Sequence, residues 1–377
     1  MKKIIIILLT LSILSCVDKN PKIIIIGTDL VEVIPYIDYF NKTNQNIKIV
    51  IKNTFSEAAD LYIYNGINTN PPFTPYDLKS FVYNEININS FYTDIVIEEQ
   101  NNTIPLLPLS FNVSGVIYNK NQFSNLNSID IDQFLNQNSM KFSPSWSNNF
   151  ISWLFLINRP ILNSNANYLD SEILLKTMND IIAINKKNET EWDITDFNKK
   201  YLYLSPVYLI EKKLIDYYFY QISDYIKLKD KNIGFSFLTK NNLIYSNEKM
   251  TYIGISNDSK RIDESKYIIK WMLNRQNQID FLKDASIIPE MNNLFLGGLS
   301  VIPEVNNIAL GEYYPQLVNL IPNSNSFTSF KKLPNLWESL KKEVYEPLFK
   351  QMYNYNQDQL IPLYLDLYND WYKKNNK

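Results

Sequence analysis

The chain carries one cysteine, Cys16, and no histidine. Without an imidazole there is no Ser-His-Asp or Cys-His relay and no His-ligated zinc or haem. Two chemistries survive that exclusion. A pair of carboxylates can hydrolyse glycosides unaided, and Glu98-Glu99, Glu191 and Asp193 offer themselves. Nothing in their spacing makes two of them face each other, and such charges ordinarily lie in solvent. Adjacent tyrosines can hold ferric iron as phenolates, and Tyr217-Tyr218 and Tyr313-Tyr314 are such pairs. Yet 27 tyrosines make adjacency by chance expected, and consecutive residues of a strand point to opposite faces. The residue types therefore favour neither an enzyme nor a metal centre, and imply no cofactor.

Cys16 follows Met1-Lys2-Lys3, an unbroken apolar run from Ile4 to Leu9, and Ile13-Leu14-Ser15. That is a charged stretch, a short apolar stretch and a small residue immediately before a cysteine. The run is too short to cross a bilayer, which takes about 20 apolar residues. As the sole cysteine, Cys16 has no internal disulfide partner. The pattern looks like the lipobox of a bacterial lipoprotein, which implies lipidation of Cys16, palmitate among its acyl chains, and an extracytoplasmic protein anchored to a bacterial cell membrane. An ordinary secretory signal with an incidental cysteine is the competing reading.

A length of 377 residues exceeds what one core usually serves, so two domains are expected. An apolar fraction of 45% is that of a globular chain. Losing residues 1–15 would remove Lys2 and Lys3 and no acid, taking the formal charge from −2 to −4. There is no long basic run, and no nucleic-acid partner is expected. Only 8 Gly accompany 27 Tyr and 20 Phe. Tyr, Phe, Ile, Asn and Lys share A/T-rich codons, so the aromatic excess is read as drift rather than demand.

The elements that must position any site can be read next. Lys22 to Gly27 is a short β-branched run ending in Gly, the pattern of a fully buried strand. Leu30, Val33, Ile34, Ile37 and Phe40 fall at helical spacing from Asp29 to Asn41, although Pro35 argues for a start near Ile34. Strands are predicted at Ile47–Lys52 and Asp60–Tyr64. From Ile104 an apolar segment breaks at Pro108, passes the polar Ser110 and Asn112, and resumes as a strand to Tyr118. A bend of that kind suits a chain leaving one sheet for another. Helix is predicted from Phe150 to about Ile184, interrupted at Asn163–Asn167, with strands at Leu214–Tyr220, Ile233–Leu238 and Met250–Ile255. A single helix is expected over Asp263–Lys283 with Asp263 as its N-cap, then mostly helices to the end.

Four segments together resemble the extracellular solute-binding proteins of ABC importers, in particular the large family 1 that includes sugar binders. They are Lys22–Ile51, with Phe40-Asn41 closing the helix; Pro105–Lys120, ending in Tyr118-Asn119-Lys120; Ser256–Lys260 with the helix bearing Lys270-Trp271; and Glu191–Asn198 together with Leu333–Trp337. The resemblance implies an α/β, periplasmic-binding-protein-like (type II) fold: two α/β lobes with a hinge and a helical C-terminal part. It assigns 1–15 to a signal peptide and 16–21 to the lipidated cysteine and tether. Residues 22–112 would open the first lobe, 113–250 form the second, and 251–377 return to the first and supply C-terminal helices. The implied partners are a small solute, carbohydrate foremost, and ABC permease subunits.

Such a fold holds its solute between the lobes, where strand ends converge. Amide, carboxylate and hydroxyl side chains would hold a sugar's hydroxyls, and rings would stack on its faces. Position nominates Thr28 and Asp29 after the first strand, Asn65 after the third, and Ser110 and Asn112 at the crossing. Trp146 precedes a helix, Gln221 and Ser223 end a strand, and Tyr252 lies in the returning strand. For Asp29 a capping role competes, for Ser110 and Asn112 a role satisfying the bent backbone, and for Trp146 the core. A surface adhesin or sensor lipoprotein, or a binder of peptide or ferric iron, is the alternative function.

Overall fold

A computed structural model of the chain describes residues 21–375 except 53–57, 67–72, 93–101, 124–126, 138–139, 159–170, 189–193, 229–231, 288–293, 315–316, 318–319, 321–323 and 329–336. The leader with Cys16, Glu98-Glu99, Glu191, Asp193 and the Asn163–Asn167 loop lie outside the described residues.

Strand β1 (Lys22–Gly27) pairs in parallel with β2 (Ile47–Lys52), Ile24 opposite Ile49, and on its other side with β3 (Leu61–Asn65). It is not buried on both faces throughout: Ile24 and Ile26 are fully buried while Ile23 is 57% exposed. Helix α1 (Ile34–Thr43) starts with Pro35 in its first turn, where the missing N–H costs nothing, and a 3-10 turn at Val31–Val33 leads into it. Tyr36, Ile37 and Phe40 form its buried face. At its end the Asn41 amide donates to the Ile49 carbonyl and accepts from the Ile49 N–H, which fastens α1 to β2.

After α2 (Lys79–Glu85) comes the central feature, β4 (Leu107–Asn119), a thirteen-residue strand buried throughout. The break expected at Pro108 is not there. Pro108 sits opposite Tyr252 beside a register shift, and a second shift follows between Phe111 and Val113. At such an irregularity a residue without an N–H is tolerated, and the strand continues through it. The remaining strands are β5 (Ser128–Asp130), β6 (Tyr217–Gln221), β7 (Ile233–Lys240), β8 (Leu243–Ile255), β9 (Leu299–Ser300) and β10 (Phe327–Thr328). The sheet path runs β2-β1-β3-β8-β4-β7-β5, with β6 and β9 also on β4. The first part of β4 lies against β8 and β9, and its last part lies between β6 and β7. Likewise β8 pairs with β3 over 251–255 and with β7 at Leu243 and Ile244. Two long strands thus pass through both halves of the sheet.

Between β5 and β6 lie α3 (Ile131–Asn136), α4 (Asn148–Asn158), α5 (Ser171–Asn188), α6 (Ile194–Tyr201) and α7 (Pro206–Glu211), and α8 (Ile222–Tyr225) follows β6. The helix expected over 263–283 is two, α9 (Ile262–Met272) and α10 (Arg275–Ile287). Asn274 makes the break: its Oδ1 accepts the Asn277 N–H, while Gln278 and the Tyr36 hydroxyl donate to the Met272 carbonyl. Both new helix ends are thereby satisfied. Asp263 is not the N-cap; that position is Arg261, and Asp263 sits in the first turn, where its charge suits the helix dipole. Helical segments at 303–313 (α11), 337–351 (α12) and Gln357–Asn375 (α13) complete the chain.

Alternation along β4 divides the interior. Val113 and Ile117 join one core with Ile24, Leu61, Ile253 and Ile268, whereas Val116 joins another with Phe134, Phe150 and Phe219. The C-terminal helices belong to this second core through Leu340, Val344, Phe349 and Tyr364. No helix among the described residues is long and apolar enough to cross a membrane.

Candidate binding cleft

Where β4 passes from one set of neighbours to the other, the ends of β3 and β6 and Thr251 of β8 converge on an open cleft of about 170 Å³. Asn65, Thr251 and the turn Leu296–Gly298 form one side, and Gln221, Ser223, Asp224 and Lys227 the other. Ser110, Phe111 and Asn112 of β4 lie between them.

Asn112 is 5% exposed and uses its whole amide. Its NH2 donates to Gln221 Oε1 at 3.0 Å and to Ser223 Oγ at 2.6 Å. Its Oδ1 accepts from the Val113 N–H at 3.0 Å and the Ser223 N–H at 3.5 Å. Asn112 is therefore a clamp that holds β4 against the junction of β6 and α8, and it presents Gln221 and Ser223 to the cleft. The Ser110 hydroxyl donates to the Leu296 carbonyl at 3.3 Å, anchoring the opposite turn. Thr251 donates to Asn65 Oδ1 at 2.8 Å. That leaves both N–H donors of Asn65, an exposed side chain, for a guest.

The turn depends on glycine at two positions. Leu296 and Gly297 both have positive φ, 49° and 77°. A Cβ at Gly298 would stand 2.3 Å from the Phe111 carbonyl oxygen, so only glycine lets the turn rest on β4. A Cβ at Gly297 would meet the Glu32 side chain at 3.3 Å; Glu32 thus lies across the turn and brings a carboxylate to the cleft. Asp224 and Lys227 form an ion pair of 3.6 Å, each about half exposed, which is worth little to stability by itself. Burial, with the Asp224 charge second, pushes the neighbouring Tyr220 hydroxyl above its ordinary value.

Five of the residues singled out by sequence are brought together here: Asn65, Ser110, Asn112, Gln221 and Ser223. Four are not. Thr28 is buried, and its hydroxyl accepts the Leu30 N–H at 3.1 Å. Asp29 is exposed and caps nothing; the N-cap of the 3-10 turn is Leu30. The residue that reaches the cleft from this segment is Glu32. Trp146 is 2% exposed and packs against Phe197 at 4.6 Å and Phe142 at 6.2 Å, a core position rather than a stacking platform. Tyr252 packs beside Tyr64 with its hydroxyl on the Met250 sulfur; alternation along β8 puts its neighbour Thr251 on the cleft instead.

Sequence reasoning also missed the turn, although Gly297-Gly298 is the only adjacent glycine pair in the chain. The one ring among the described lining residues, Phe111, is 1% exposed and packs against Tyr92 and Phe327. Hydroxyls, amides and charges line the described cleft.

The tyrosine pair at the end of β6 is divided between two cores. Tyr217 packs on Phe123 and Phe134, whereas the Tyr218 hydroxyl donates to the Trp146 carbonyl. Burial pushes both hydroxyls up to about 12, the opposite of what phenolate ligation asks. Among the described residues no group of three acids or cysteines could hold a metal ion.

No family model matches the chain, and no curated protein matches it in sequence. Solved structures do. The fold is similar to that of the sugar-binding protein MalE from Xanthomonas citri, with a TM-score of 0.71 at 12% identity over 94% of this chain and 98% of that one. It is similar to an extracellular solute-binding protein family 1 structure from Alicyclobacillus acidocaldarius, with a TM-score of 0.65 at 12% identity over 94% and 100%. An ABC substrate-binding protein from Listeria monocytogenes in complex with cycloalternan gives 0.63 at 11% identity over 94% and 99%. At these identities the likeness is one of fold, and that fold is the two-lobed, periplasmic-binding-protein-like architecture.

Proposed function

We propose that the protein captures a small polar solute, carbohydrate foremost, between its two lobes and delivers it to the permease of an ABC importer without transforming it. The observation that carries this is the cleft at the crossing strands. Its described lining offers unused donors on Asn65 and Gln221 and the Ser223 hydroxyl, which suit the alternating donors and acceptors of a sugar. The structural neighbours described as sugar-binding and substrate-binding proteins support the same reading.

The lobes divide within β4 and β8. The first comprises 22–112 and the part of 251–377 that packs with β1 to β3. The second comprises 113–250, and α12 and α13 go with it because they share its core. Closure would turn on the irregular stretch of β4 between Phe111 and Val113 and bring the Gln221 side toward Asn65. Ahead of Lys22, Cys16 is the proposed lipid attachment, and it would keep the captured solute beside the permease.

A thermal-shift screen of the chain from Pro21 tests the reading against oligosaccharides, amino acids and peptides. A ligand that binds only the native state adds about 2.7 kcal/mol at a hundredfold excess over its dissociation constant. A saccharide shift that disappears with Gln221→Ala plus Ser223→Ala supports capture in this cleft. A cooperative melt that no solute moves would favour the adhesin or sensor.

A further inference from the structure

We propose that the tip formed by Leu202, Tyr203, Leu204 and Tyr208 docks on the surface of an anionic lipid bilayer. Of fifteen large apolar or aromatic residues exposed among the described residues, five fall in the thirteen positions from Leu202 to Leu214. Such concentration marks an interaction surface rather than scattered exposure. Leu202 and Tyr203 are each 79% exposed, the highest values among them.

The backbone gives the second observation. Leu202 and Tyr203 follow the end of α6 with φ of 52° and 59°, and the Tyr203 N–H closes onto the Asn198 carbonyl. A left-handed residue after a helix is ordinarily glycine. Here two consecutive large side chains hold that conformation at a cost glycine would not carry, and neither is covered by the protein. Strain of this kind, held in exposed apolar residues, points to a function for the side chains.

The charges identify the partner. From Asp196 to Lys213 there are four lysines, Lys199, Lys200, Lys212 and Lys213, against Asp196 and Glu211, in a chain of net charge −2. Lys212 lies over the Tyr208 ring at 5.5 Å, and Lys199 pairs with Asp196 at 3.7 Å with both side chains largely exposed. Leucine and tyrosine flanked by lysine is the composition that enters the interface of a bilayer while its cations meet anionic headgroups. Neither the solute nor Cys16 is needed for this contact.

Flotation with phosphatidylcholine vesicles, with and without phosphatidylglycerol, tests it on the chain from Pro21, which keeps every core residue from Ile24 to Trp371. The expected result is binding that rises with phosphatidylglycerol and is lost in high salt. Lys212→Gln with Lys213→Gln weakens it on the order of tenfold or more. Leu202→Gly with Tyr203→Gly relieves the left-handed backbone, so it melts no lower than the parent, yet it should lose vesicle binding. Absence of binding by the parent overturns the proposal, as does unchanged binding by the glycine variant. Conversion of a dimer to a monomer by that variant would assign the tip to a second copy instead and overturn it too.

Discussion

At the scale of single residues, roles in this cleft separate by how much of each side chain is already used. Asn112 makes four hydrogen bonds to the protein, so it shapes the site, whereas Asn65 and Gln221 keep donors for a guest. Trp146 was a plausible stacking ring by sequence, yet it lies in the core between Phe142 and Phe197. Trp146→Ala is therefore expected to cost about 3–5 kcal/mol of stability, read by denaturant unfolding. A variant of near-parental stability with weakened solute binding would return the ring to the site. Gly298→Ala pushes a methyl group onto the Phe111 carbonyl. It should destabilise by roughly 1–3 kcal/mol, and a neutral effect in the same unfolding assay would show that the turn does not depend on that close approach.

At the scale of elements, local signals in the chain were informative and long-range register was not. The β-branched run of β1, the position of Pro35 in α1 and the polar residues of the crossing segment are local, and each could be read directly. Three lining residues, Asn65, Gln221 and Ser223, followed from the ends of strands, and Ser110 and Asn112 from the crossing segment. What failed was parity: Tyr252 and Thr251 differ only in the face they take, and that is fixed by pairing Tyr64 with Tyr252 and Asn65 with Thr251. No local pattern contains that register. The continuity of β4 past Pro108 was hidden for the same reason, since a proline is tolerated only because its partner strand slips there. Asn274 is a smaller lesson. A helical period continues across it from Ile268 to Leu282, but its side chain caps the second helix. Asn274→Ala should cost about 0.5–2 kcal/mol, and thermal melting at unchanged solute affinity would check it; no loss would mean the break is set by tertiary packing alone.

At the scale of the whole molecule, two cores share one ten-stranded sheet, and the long strands that cross between its two halves also build the cleft. Tyrosine burial gives that architecture a titration signature. Burial raises Tyr92, Tyr217, Tyr218, Tyr225 and Tyr314 to about 12 from an ordinary value near 10. The unfolded chain releases these protons first as pH rises, so stability should fall between about pH 10 and 12 and be insensitive to these groups below that window. Denaturant unfolding across that range checks it, and a flat profile would contradict the burial. The central claim, capture of a polar solute by this cleft, is tested most directly by calorimetric titration of a saccharide identified in the thermal screen. Asn65→Ala and Gln221→Ala should each weaken binding by about 1 kcal/mol, roughly fivefold, from opposite sides of the cleft, while the free protein still unfolds in one cooperative transition at a melting temperature lowered only by the loss of the Thr251 and Asn112 hydrogen bonds. Binding of the same saccharide at parental affinity by both variants would contradict the account.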